Sequence, residues 1–261
     1  GTGSMFDEAN ITVTVSRQAG FDGDADGNLG DGRVNIGVIR AGTFDAGRVN
    51  FFGIDLGTIK IEGDLGTIEV GDRFLDGYAL KKLDVYSFGM HPEILEVRDN
   101  GGSLVGYDRQ SYVQGRVGTI KVRGDFGGII NVVASSFGSI NTLSIGGALI
   151  GNELDNSGVV QFTGTLGKAV IGQIIGGSGA GSARIIGDTA YTAKIGTVVV
   201  KGDVIGGSGD SSGVIQTKSI SKLTINGDMV GGDGASSGQV VVDRVNQLAL
   251  KGNLVGGDGA K

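Results

Sequence analysis

The sequence predicts an all-β chain folded as a parallel β-helix, or β-solenoid, with three short strands in each coil of about 25 residues. Three observations carry this. Glycine makes up 53 of 261 residues, where ordinary proteins carry roughly 7%. Short phrases alternate apolar and polar residues, which is the period of a strand. The phrases recur at a fixed interval near the end of the chain.

The glycine content has few readings. There is one proline and no Gly-X-Y period, so a collagen helix is excluded. Apolar residues make up 39% and are spread along the chain, which a flexible glycine linker or a disordered tail would lack. Glycine in a packed chain of this kind marks turns, where it supplies positive φ at corners.

The phrases read as strands. Val198-Val199-Val200-Lys201 and Leu223-Thr224-Ile225-Asn226 alternate inward and outward positions. Their β-branched residues suit a pleated surface. A helix is opposed by glycine every few residues, at roughly 1 kcal/mol each relative to alanine.

The period is clearest from Ile195 onward. Residues 195–219, 220–244 and 245–261 align without a gap at a period of 25. Ile195, Ile220 and Val245 correspond, as do Val198, Leu223 and Leu248. The pairs Gly202-Asp203, Gly227-Asp228 and Gly252-Asn253 correspond as well. Earlier phrases at 117, 140, 166 and 195 are spaced by 23, 26 and 29 residues. Phrases at 56–64 and 65–72 match too. Such drift suits a solenoid whose turns bulge, and 25 residues is too short for a propeller blade of roughly 40. Within one coil, residues 198–201, 204–205 and 214–218 are the expected strands. The general preference for right-handed crossovers makes the helix right-handed. Counting from Val34 gives about nine or ten coils and a length of ~45 Å at strand spacing.

Residues 1–5 (GTGSM) read as an expression scar and residues 6–33 as an N-terminal segment or cap with an acidic loop. Residues 34–261 read as one solenoid, irregular at 72–116 and regular at 195–261. The last residue falls inside a repeat. An open final coil exposes strand edges, so this one is expected to stack on further repeats or on a partner.

Net charge is −6, the isoelectric point is about 4.8, and basic residues are scattered singly along the sequence. No nucleic-acid footprint is expected from that pattern. No apolar run reaches the length of a membrane span. One histidine and no cysteine exclude thiolate sites and disfavour nucleophilic triads and zinc.

Two regions depart from the repeat. In GFDGDADGNLGDG, Asp22, Asp24 and Asp26 with Gly27 open like a calcium loop, in which alternating carboxylates wrap a hard cation. Arg33 stands where such a loop closes with glutamate, so an acidic surface turn is the competing reading. Residues 72–116 contain the only histidine, the only proline and four of five tyrosines. Tyr78, Tyr86, His91, Arg98, Tyr107, Arg109 and Tyr112 are the candidate binding face, with aromatic and charged groups suited to glycans or other surface proteins. The bland reading is a few wider coils. No catalytic residue is assigned. Asp203 and Asp228, one coil apart, read as turn residues bonded to their own backbone rather than as a glycosidase pair.

The phrase IGTVVVKGDVIGGSGDSSG resembles the repeats of very large bacterial surface or autotransporter-like proteins, abundant in planctomycetes and their relatives. The resemblance covers roughly 54–70 and 117–261. It implies a secreted or cell-surface structural or adhesive module, and it carries over no catalytic residue. The alternatives are a β-helix enzyme acting on polysaccharides, with its site in 72–116, and a calcium-stabilised glycan-binding module.

Overall fold

A computed structural model describes residues 8–14, 33–43, 52–72, 77–90, 95–98, 104–134, 138–188 and 192–259. Among them, seventeen strands form a single parallel sheet that closes on itself as a β-solenoid, and no helix is present. Three faces repeat along its axis.

The first face is a ladder of nine rungs. Its inward positions run Ala9, Leu56, Leu80, Val117, Ile140, Leu166, Ile195, Ile220 and Val245, each paired in parallel with the next. Eight steps at about 4.8 Å give a stack ~38 Å tall. From Leu56 the spacings along the chain are 24, 37, 23, 26, 29, 25 and 25 residues. The ladder therefore begins before residue 34, because Ala9–Val13 pairs with the first half of Leu56–Val70.

The phrases at 56–64 and 65–72 are one rung, not two. Residues 56–61 lie on the first face, whereas Leu65 pairs with Phe88 on the second and Glu69 with Tyr112 on the third. The third and first strands also run together across the corner between coils. Val214–Ile225 is continuous, carrying 214–217 on the third face and 219–225 on the first.

The core is a set of like-on-like columns. Ile59, Leu83, Ile120, Leu143, Ala169, Val198 and Leu223 stack inside the first face, each at most 1% exposed. On the second face Phe88 stacks on Phe126 with ring centroids 4.8 Å apart, the spacing of the rungs themselves. On the last described rung the column is open, and Leu248 and Leu254 are 64% and 73% exposed.

Some glycines supply the expected positive φ, among them Gly158, Gly181, Gly213 and Gly238, but others are selected differently. Gly177, Gly207, Gly232 and Gly257 form a column with no positive φ. A Cβ on any of them would run into the backbone carbonyl oxygen of the rung before it. Gly179, Gly209, Gly234 and Gly259 repeat the pattern. Close stacking of the turns, rather than dihedral freedom, selects glycine there. The left-handed positions are two others, occupied by Asn156, Gly181, Ser211 and Ser236 and by Gly158, Ala183, Gly213 and Gly238.

Candidate functional site

The turns between the second and third faces are tied by serine. Oγ of Ser157, Ser182, Ser212 and Ser237 accepts the backbone N–H of Asn152, Gly177, Gly207 and Gly232, at 2.8, 2.9, 2.9 and 2.9 Å. The aspartates of the other corner bond between rungs. Asp203 Oδ1 accepts the N–H of Asp228 at 2.7 Å, and Asp228 Oδ1 that of Asn253 at 2.6 Å. Asp125 Oδ1 accepts the N–H of Ala148 at 2.7 Å. These carboxylates hold the next coil's backbone rather than their own.

The irregular region is an excursion from one rung. Tyr78–Phe88 supplies the first two faces and Gln110–Gln114 the third. Between them, Leu95–Arg98 pairs antiparallel with Leu104–Asp108 as a hairpin outside the parallel sheet. Arg98 and Tyr107 lie on its two strands, opposite Leu104 and Glu96; their side chains, and all of His91, lie outside the described residues. So do Asp22, Asp24 and Asp26.

The remaining candidate residues are not brought to one place. Tyr78 and Tyr86 are eight residues apart on one strand, about 26 Å along an extended chain. Tyr78 is 40% exposed and its hydroxyl accepts Asn141 Nδ2 at 2.8 Å. Tyr86 is half-buried, with the Arg33 guanidinium 3.5 Å above its ring centroid. Tyr112 lies on the third face and its hydroxyl donates to Gln110 Oε1 at 3.1 Å. Arg109 is exposed at the base of the excursion, on a groove of about 270 Å³ shared with Gly89, Gln110, Asn152, Leu154 and Asp155. Asp155 is the one carboxylate among the described lining residues, and its Oδ1 already accepts the N–H of Ala180 at 2.8 Å.

Basic residues that are scattered in sequence are gathered by the register on the outside of the first face. Thr58, Lys82, Thr119, Thr142, Lys168, Thr197, Lys222 and Gln247 form one outward column. Lys60, Asp84, Lys121, Ser144, Val170, Val199, Thr224 and Ala249 form the next.

In the lower rungs this charge is partly offset by ion pairs. Asp84 is 6% exposed. Arg123 Nε and Nη2 both donate to its Oδ1 at 3.1 Å, and Lys82 Nζ lies 3.1 Å and Lys121 Nζ 3.8 Å from Oδ2. Burial alone would raise the carboxyl's pKa. The hydrogen bonds from Lys82 and Arg123, with the charges of Arg123 and Lys121, outweigh that and hold it below its ordinary value. Lys60 pairs with Glu62 at 3.5 Å.

In the upper rungs four lysines of this face, Lys168, Lys201, Lys222 and Lys251, have no ion-pair partner among the described residues. The signal for this face was the 25-residue period itself, applied to outward rather than inward positions. Among the described residues no three His, Cys, Asp or Glu side chains converge as a metal site. The chain matches no family model, no curated protein and no solved structure.

Proposed function

We propose that the chain is a rigid structural and adhesive module of a secreted or cell-surface protein. The observation that supports this best is the unbroken nine-rung ladder of the first face. The corners between the faces are locked from rung to rung by Asp and within each turn by Ser. Such a stack fixes the distance between its two ends and offers long flat sides, which is what a spacer with a binding face requires. The excursion groove, with one hydrogen-bonded carboxylate among its described lining residues, gives weaker support to the polysaccharide-cleaving alternative, whose acid pair must flank a bond.

Antibody labelling of intact cells of the source organism tests the reading. Surface label that protease treatment of whole cells removes is the expected result. Protein found only after lysis would overturn it.

A further inference from the structure

The first face carries a second pattern in its upper four rungs. Reading across each rung, the outward residues are Lys168, Val170 and Gly172; then Thr197, Val199 and Lys201; then Lys222, Thr224 and Asn226; then Gln247, Ala249 and Lys251. Among these positions each rung carries one lysine, and it changes side at every step; Lys194 and Arg244, paired through Ser219, lie farther out on the Lys168 side of their strands. Lys168 and Lys222 flank one side of the central column and Lys201 and Lys251 the other. The central column, Val170, Val199, Thr224 and Ala249, is partly exposed and mostly apolar. Lysines on one side are two rungs apart, about 9.6 Å, and the two rows lie about 13 Å apart at the backbone.

All four lysines are free of ion pairs among the described residues, and Lys168, Lys201, Lys222 and Lys251 are all exposed. Asp203 and Asp228 lie beyond the corner, each with an oxygen held by the next rung's backbone N–H. The face is thus a local cation array on a chain of net charge −6.

We propose that this face binds a linear acidic polysaccharide, specifically an extended β-1,4-linked polyuronate lying along the solenoid axis. Successive sugars in such a ribbon are turned over, so their carboxylates project alternately to the two sides. That alternation matches the lysines, and the rise per sugar is close to the rise per rung. The C–H faces of the pyranose rings lie on the valine column, and Thr197, Thr224, Asn226 and Gln247 reach the hydroxyls. Lysine is a flexible point charge, suited to carboxylates whose positions vary from sugar to sugar. Nucleic acid fits less well. The face is flat, so nothing enters a duplex groove, and it has no aromatic residue on which bases stack. The proposal rests on the reading of the chain as a surface module.

Calorimetric titration of the whole chain with a β-1,4-linked oligouronate spanning four rungs tests it, with the neutral oligosaccharide of the same linkage beside it. Binding to the acidic oligomer alone is expected, weakening as salt rises. Each of Lys168→Gln, Lys201→Gln, Lys222→Gln and Lys251→Gln should weaken it about twofold to fivefold, and the quadruple variant about a hundredfold. Lys81→Gln, whose lysine pairs with Glu8, should leave binding unchanged. An unaltered melting curve for the quadruple variant shows that loss of binding is not loss of fold.

Absence of binding to the acidic oligomer, equal binding to the neutral one, or unchanged binding by the quadruple variant would each overturn the proposal. So would displacement of the oligomer by an equal concentration of duplex DNA, or self-association that the four substitutions abolish. Any of these in a protein that still labels at the cell surface leaves the function proposed above standing.

Discussion

At Asp84 one carboxylate contacts three cations from a nearly buried position. Its folded-state pKa is depressed, so its contribution to stability is complete above the ordinary value of 3.8 and is lost as pH falls through the lower folded value. Asp84→Asn should therefore destabilise the protein by about 1–3 kcal/mol at neutral pH. The gap from wild type should close as the solution is acidified below the ordinary carboxylate range. Denaturant titrations of both proteins across that range check this, and a gap independent of pH would show that the charge is immaterial. The same residue shows why the cation face was hidden in the sequence. Lys60, Asp84 and Lys121 are neighbours only through rung pairing. No window along the chain contains them together.

At the scale of the elements, the turns are the most constrained parts of each coil. Gly207→Ala would drive a Cβ into the carbonyl oxygen of Gly177, at a cost of about 3 kcal/mol. Gly256→Ala, where nothing lies within 4 Å, should be neutral. Thermal melting of the two variants separates close stacking from a general intolerance of alanine in these loops, and equal losses would refute the stacking account.

The strands were readable because alternation marks which side chains face inward, and from Ile195 onward the pattern repeats at constant length. Alternation does not say which face an inward residue belongs to. That is why 56–64 and 65–72 look like successive repeats while forming successive sides of one rung. The tyrosines misled in the same way. Tyr78, Tyr86 and Tyr112 are close in sequence, but strand direction and the excursion distribute them around the perimeter.

For the whole molecule, stability is a sum over rungs and their interfaces. Removing residues 220–244 deletes one complete coil and lets Val245 take the place of Ile220 on Ile195. The shortened chain should fold cooperatively, with a Tm within about 5 °C of the parent. Removing residues 220–239 instead leaves a partial coil, puts side chains on the wrong faces and should prevent folding. Circular dichroism and melting of the two deletions decide the matter. Comparable behaviour of both would mean that the ladder register does not govern folding.

The excursion between Phe88 and Gln110 departs and returns at a single corner. Its rung keeps its place, with Phe88 stacked on Phe126 and Gln110 beside Ile129. Chain length and axial length are therefore uncoupled at that corner. The closure cost of a longer excursion grows only with the logarithm of its length, so the corner is a socket. A whole foreign domain spliced between Gly89 and Arg109 would be carried sideways, at a fixed height on the stack, without moving any rung above or below it.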